Sequence, residues 1–428
     1  MATGLMGMGC RMLLLFAAAG RLVRGLALGE PPDGKAYLAA WIDGSAPNLD
    51  SPALFNKRIG RNAYGFQLAQ TIPVTPYNYT TGGGGMMNVT EVTGTDTTAA
   101  IFLTVYPQSL AQVTDAHLQA LGKQIAGYQA LSPARKVFLR FAPEMQGRWM
   151  PYGAQPSLFL ALWKRMFASV KALAPETIIV WAPNGAMGYP YGIQLSNVTL
   201  QADKDLLDTN KSGELDQGDD AYAAYYPGDS YVDWNGISWY WKGNEYPYLV
   251  NKLVPTGYSA GAMTGQSPAG SIGTSGAQTF TSFYSRYCAT KPCMFSEMGA
   301  AYHVNAAGNI SQASLQQSWW RDTITSTGFM DAFPKMKMFM LFEFQKSEDG
   351  GDLRDYRLSA DERVRTSWLQ DLQAVQSRFI WADQSTTNNT SAGQGARSGA
   401  RSATFWVDAA GWKLGWLVVL IATMYYMF

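Results

Sequence analysis

The chain has 428 residues, a formal net charge of +1, 47% apolar residues and 15% charged residues. That balance of charge removes the electrostatic case for a nucleic-acid partner, which needs a basic surface. The length allows one large barrel or two ordinary domains, and the apolar content can fill a sizeable core.

The first signal in chain order concerns targeting. Arg11 precedes an apolar block over 12–20, and Arg21 and Arg24 prevent its extension, so the block is too short to span a bilayer. A secretory signal over 1–29 fits, cut after Gly29 or earlier. A mitochondrial presequence is the competing reading. The main domain is then expected over 30–383. Strands are expected over 37–42, 64–69 and 99–105, with a Gly-rich loop over 80–94. A helix over 115–131 repeats Leu118, Leu121, Ile125 and Tyr128 at helical spacing.

Residues 136–149, KVFLRFAPEMQGRW, begin as an apolar run of the kind a strand buried on both faces shows. The run breaks at Ala142-Pro143, and Glu144 stands just past the break. A carboxylate there, beside an aromatic, is where an α/β barrel keeps its chemistry; alone it reads equally as a surface turn. A helix over 157–173 comes next, with Ser157 as its cap, and then a strand over 177–181. Asp208, Asn210, Ser212, Glu214, Asp216 and Asp219 fall in DTNKSGELDQGD with Gly213 at position six, the pattern of an EF-hand loop. A structural Ca²⁺ site and an acidic solvated loop both fit. Strands are expected over 232–239, 294–296 and 336–344, and a long loop over 256–281.

Residues 292–300, PCMFSEMGA, repeat the earlier device: an apolar run, Glu297 at its end, then Gly299. Two strand-end carboxylates far apart in sequence suit glycoside hydrolysis. One must protonate the leaving oxygen; the other must attack or stabilise the sugar cation. No cofactor is needed for that catalysis. The alternation of strand and helix predicts an α/β fold with a parallel sheet. The expected architecture is a (β/α)8 TIM barrel with loop insertions, because 30–383 exceeds the typical barrel of roughly 250 residues.

Cys10 would leave with the signal, so Cys288 and Cys293 form either a local disulfide, as in an oxidising compartment, or two buried thiols. Asn78, Asn88, Asn197, Asn309 and Asn388 begin glycosylation sequons. A Ser/Thr/Asn/Gly-rich stalk over 384–400 precedes the segment 401–428, a short spacer and then a tail over 412–428 that is apolar to its last residue. This reads as a glycolipid-anchor signal that is removed, with attachment at Ser398 or a neighbour; a transmembrane helix competes, but no basic flank comes after it. The expectation is a monomer, secreted to the cell surface and anchored to the plasma membrane or cell wall.

Five stretches, in order, resemble glycoside hydrolase family 26, best known for β-mannanases. They are FNKRIGR (55–61), RFAPEMQGRWMPYG (140–153), VWAPN (180–184), YYPGDSYVDWNGISWY (225–240) and KPCMFSEMGA (291–300). The resemblance implies a (β/α)8 barrel and a retaining mechanism, with Glu144 as acid/base and Glu297 as nucleophile. Their carboxyls should then lie about 5 Å apart, and burial with the Glu297 charge should raise the Glu144 pKa. Arg140 and Tyr240 are the candidate donors to Glu297. Trp149, Tyr152 and Trp181 are placed either to pack on sugar rings or in the core. The chain departs from the family at Pro143, where many members have histidine, and at Gln146, where asparagine is common. Glu343 and Phe344 stand where an aromatic sugar platform is common, so Phe344 joins the substrate-binding set.

Two functions are expected from this reading. The first is a surface-anchored retaining hydrolase or transglycosylase acting on a β-linked polysaccharide, mannan-type or cell-wall glucan. The second is a non-catalytic glycan-binding or structural cell-surface barrel.

Overall fold

Eight apolar runs become parallel strands: β1 (Ala36–Ile42), β2 (Gly65–Ile72), β3 (Ala100–Pro107), β4 (Val137–Phe141), β5 (Ile178–Trp181), β6 (Trp234–Trp241), β7 (Cys293–Ala300) and β8 (Met336–Glu343). The computed structural model describes residues 25–45, 48–73, 89–271, 278–348 and 351–385. Each strand pairs with the next in sequence, and β1 closes the ring against β8 with Ala40 opposite Leu341. Helices such as Asp115–Gln129, Pro156–Leu173 and Glu362–Val375 come after the strands. The architecture is the expected (β/α)8 barrel.

Strand parity divides the core. Val137, Leu139 and Phe141 of β4 join the outer layer that meets the helices, while Phe138 belongs to a separate apolar cluster. That cluster takes Tyr37, Phe102, Phe138, Val180, Trp234, Met294 and Met338 from seven of the strands, so it fills the ring. Two residues further along β4, the same face carries Arg140. The barrel interior thus passes from an apolar floor to a polar layer at the C-terminal ends of the strands.

The chain ahead of β1 completes the floor. Trp234 donates its indole N–H to Leu28 O at 2.8 Å, and Tyr37 donates to Gly29 O at 3.1 Å. Gly29 has a φ of 71°, so a side chain there would be strained, and its Cβ would displace Ile178 Cδ1, 2.4 Å away. A signal cut after Gly29 would remove both acceptors; the earlier cut keeps them.

Three local expectations are corrected. Ser157 is not the cap of its helix: Pro156 begins it, Gln155 precedes it, and the Ser157 N–H is bound by Asp203 Oδ1 at 2.7 Å. The stretch read as a loop over 256–281 contains a helix, Tyr258–Thr264, and a short strand pair. Residues Val89–Thr93, placed in a loop, form a helical turn. Cys288 and Cys293 do form the disulfide, which joins the end of a short helix to the first residue of β7. Among the described residues no helix is long and apolar enough to cross a membrane. The anchor residue Ser398, the tail, and Asn78, Asn88 and Asn388 lie outside the described residues. Asn197 and Asn309 are described and exposed.

Candidate active site

The turn after β4 sets the geometry. Ala142 and Glu144, on either side of Pro143, have φ of 44° and 54°, a region side chains occupy at a cost of about 1–3 kcal/mol each. Three hydrogen bonds hold them there: Ala142 N–H to Val105 O (2.8 Å), Glu144 N–H to Ala182 O (2.9 Å) and Tyr152 O–H to Pro143 O (2.8 Å). Strain of this kind persists where the surroundings over-determine it, and here it aims one carboxylate. Gly147 serves the same end, because a Cβ there would lie 2.4 Å from the Trp149 ring. The indole therefore lies against bare backbone, and its N–H reaches Glu144 Oε2 at 2.6 Å.

Arg140 joins the two halves of the site. Its guanidinium is fully buried and donates to Glu297 Oε2 at 2.5 Å and to Ser238 Oγ at 2.6 Å. Its Nη2 stands 3.8 Å from Glu144 Oε1. Tyr240 donates to the other oxygen of Glu297 at 2.5 Å. The glutamates, 153 positions apart in sequence by their numbers, thus meet on one cation, and each keeps 7% of its surface exposed. Burial is the larger cause that pushes the Glu144 carboxyl above the ordinary range, and the Glu297 charge is the second. Arg140, Ser238 and Trp149 pull the other way. A glutamate held as an acid beside a second carboxylate is the division of labour acid–base chemistry requires.

A groove of about 370 Å³ opens above. Glu144, Trp149, Tyr191, Trp239, Tyr240, Tyr246, Tyr248 and Phe342 are among its walls. The indole N–H of Trp239, one of these wall residues, is buried. Gly185 lets that ring approach, since a Cβ there would stand 2.5 Å from it.

The predicted site residues divide. Glu144, Glu297, Arg140, Tyr240 and Trp149 come together, although Trp149 also holds a carboxylate rather than serving as a sugar platform alone. Tyr152 is fully buried and pins the Pro143 turn, so it does not touch substrate. Trp181 is also fully buried. It points outward from β5, donates to Tyr225 O at 3.0 Å, and packs on Phe283 and Tyr287. Phe344 stacks on Phe342 at 4.3 Å, and it is Phe342 that lines the groove. Trp239, Tyr246, Tyr248, Lys242 and Lys346 are wall residues that the sequence reading does not single out. The signal for the tyrosines is an aromatic pair around Pro247, just past β6.

The calcium expectation gains no support. Among the described residues no cluster of carboxylate, histidine or cysteine side chains is arranged to hold a metal. The loop spends its acceptors on itself. Asp208 takes the Ser212 and Gly213 N–H groups, Asp216 takes Gly218 N–H, and Asp219 takes Thr209, Asn210 and Asp216 N–H. Asn210 donates its side-chain amide to Asp216 at 3.1 Å, while Ser212 Oγ and the exposed Glu214 complete the same turn. His303 is buried between Asp352 Oδ2 and Lys242 O.

Glu343, at the end of β8, is buried and accepts from Leu358 N–H, Ser359 N–H and Ser359 Oγ. Burial outweighs these donors and raises its carboxyl to about 7. A raised folded-state pKa contributes stability that is complete below the unfolded carboxylate range and is lost as pH rises through 7. The melting temperature should therefore fall by a few degrees between pH 6 and pH 8, and Glu343→Gln should flatten that slope. Parallel slopes for the two proteins would assign the effect elsewhere.

No protein-family model and no curated protein matches the chain. Among solved structures it is similar to a modular endo-β-1,4-mannanase from Cellulomonas fimi, with 12% identity, 82% of this chain and 72% of that chain covered, and a TM-score of 0.46. It is similar to the Prevotella bryantii endo-β-mannanase/endo-β-glucanase, with 14% identity, 84% and 46% coverage and a TM-score of 0.43, so it spans less than half of that protein. It is also similar to the GH53 catalytic domain of Ignisphaera aggregans, with 14% identity, 81% and 98% coverage and a TM-score of 0.40. The closed ring of parallel pairings, and not these likenesses, establishes the barrel.

Proposed function

We propose that the chain is a retaining glycoside hydrolase of the family 26 kind, acting on a β-linked polysaccharide. The observation that carries this reading is the pair of glutamates, one just past β4 and one inside β7, on one buried guanidinium beneath an aromatic groove. Glu297 attacks the anomeric carbon while Glu144 gives its proton to the departing glycosidic oxygen. The C–O bond to the leaving sugar breaks as the ester to Glu297 forms. Glu144, now a carboxylate, takes a proton from water; that oxygen attacks the anomeric carbon and Glu297 departs. Atoms and charges balance with water alone.

Each neighbour has a share in this cycle. Arg140 and Tyr240 fix both oxygens of Glu297, and Trp149 fixes one oxygen of Glu144. The upward shift of the Glu144 carboxyl favours its protonated, proton-donating form. The groove's rings present flat apolar faces of the type that stack on pyranose rings. A sugar hydroxyl that replaces the water would give transglycosylation through the same intermediate. In the same proposal the enzyme is secreted and held at the surface by the glycolipid anchor.

The test is the stereochemistry of the first product. β-Mannan, β-glucan and xylan are offered in turn, and the newly formed reducing end is monitored by NMR. The β-anomer should appear first and then mutarotate. Initial release of the α-anomer would replace the nucleophile role of Glu297 with that of a base.

A further inference from the structure

The rings along the groove differ in what holds them. Trp239 and Phe342 are buried, and Tyr240 is fixed by Glu297. Tyr246 is 64% exposed, although it lines the same groove as Glu144. A ring so exposed adds little to the core. An exposed apolar side chain is ordinary by itself. This one differs because the loop that carries it is braced at several points.

The loop follows β6. Tyr248 turns it with a φ of 61°, and the Tyr248 N–H reaches Glu245 O at 2.6 Å. The rings of Tyr246 and Tyr248 stand perpendicular, with centres 5.7 Å apart. Asn251 exchanges two hydrogen bonds with the His303 backbone, at 3.0 and 2.9 Å, and Lys252 O accepts from the Trp241 indole at 2.8 Å. Pro247 O, next to Tyr246, accepts from Arg354 Nη2 at 3.1 Å. Arg354 is fully buried in a lysine cluster around Glu348. Lys346 Nζ meets Glu348 Oε1 at 2.8 Å, while Lys242 Nζ and Arg354 Nη1 meet Oε2 at 3.0 and 2.8 Å. Glu348 and Arg354 belong to a small antiparallel sheet built from Tyr302–His303, Gln345–Glu348 and Asp352–Asp355. The cluster therefore ties the Tyr246 loop to that sheet.

We propose that Tyr246 is a rim platform on which one sugar unit of the glycan stacks, beyond the units held at the glutamate pair. The inference rests on the hydrolase reading for the identity of the ligand, and it concerns substrate length, not mechanism. A pyranose presents C–H groups that pack on a flat apolar ring, and the phenol oxygen gives that ring a polar tip. A ring braced before the sugar arrives loses little freedom on binding. Its exposure leaves room for a chain to lie across it and continue outward, so the substrate is an oligosaccharide or polymer long enough to reach it. Arg354 acts as a positioning residue, through the Pro247 carbonyl.

Binding is measured apart from turnover, by calorimetry on the full chain carrying Glu297→Gln. The probes are β-linked manno-, gluco- and xylo-oligosaccharides, two to six units long. In the series that binds, affinity should rise about fivefold at the one added unit that reaches Tyr246, the factor a well-placed ring contact supplies. That step should vanish in Tyr246→Ala and persist in Tyr246→Phe, which keeps the ring. The melting temperature of Tyr246→Ala should stay close to that of its parent, because the side chain is mostly in water. A step that survives in Tyr246→Ala overturns the proposal. So does an equal loss of affinity at every length, which would make the ring a support for the loop and not a platform. Absence of binding by all of the probes overturns it as well. The hydrolase reading fails by a different sign, which is undiminished turnover in Glu297→Ala, whatever the binding steps.

Discussion

Glu297→Ala is expected to lower kcat by on the order of 10⁵-fold on any substrate the wild-type protein cleaves, while leaving a folded barrel. The residue is the acceptor of Arg140 and Tyr240 and is the proposed nucleophile. Arg140 still has Ser238 and Glu144 as neighbours, so the cation is not stranded. The space left by the side chain admits a small anion. Azide should restore turnover of an activated aryl glycoside and give the α-azide, because it attacks from the Glu297 side. Glu144→Ala should behave differently. Its loss should be severe for a natural polymer, whose leaving oxygen needs a proton, and slight in the first step for a dinitrophenyl glycoside, whose leaving group does not. Azide should then give the β-azide by attack on the glycosyl-enzyme. Wild-type activity in Glu297→Ala, or the same azide anomer from both variants, removes the division of roles between the two glutamates.

The places where the sequence is legible share a physical cause. The barrel strands are short apolar runs, and Glu144 stands past the closure of one, after Phe141, while Glu297 interrupts another that runs on to Ala300. Arg140 marks the inward face of β4 because a charge in an apolar run must face a polar partner. β5 has no such marker. Its four residues, IIVW, are apolar on both faces, so the periodicity does not reveal that Val180 points inward and Trp181 outward. That single ambiguity puts Trp181 among the expected sugar contacts. Tyr152 is illegible for another reason: its partner is a backbone carbonyl whose direction depends on the strained turn around Pro143.

Composition misleads in the Gly/Ser-rich stretch that holds the helix Tyr258–Thr264. Gly257 and Gly265 bound that helix in left-handed conformations, and a Cβ on Gly261 would stand 2.7 Å from Gln266 O. The glycines there mark close packing, which composition alone does not separate from flexibility. The lysine cluster is out of reach for a simpler reason. Lys242 comes after β6 while Lys346, Glu348 and Arg354 come after β8, and the side-by-side order of β6, β7 and β8 brings those loops to one wall.

Arg140→Met should be the most damaging substitution for stability, at about 3–5 kcal/mol near neutral pH. The arginine is fully buried, and burial works against its charge; Glu297, Tyr106 and Glu144 hold it charged nonetheless. Its removal leaves Glu297 with Tyr240 alone and sets two carboxylates together without a cation between them. Methionine matches the volume closely enough that packing contributes little of the loss. In the variant the already raised Glu144 carboxyl loses the cation that lowers it, so its protonated form fits the folded state and its charged form does not. The deficit should therefore be small below the unfolded carboxylate range, near pH 4, and grow to its full size by pH 7. Urea denaturation of both proteins at the two pH values measures it. Arg140→Lys keeps the charge but not the fork, so it cannot meet Glu297, Ser238 and Glu144 together. It should recover most of the stability and little of the activity. A deficit equal at pH 4 and pH 7 would mean that the side chain's bulk, and not its charge, organises the barrel's polar layer.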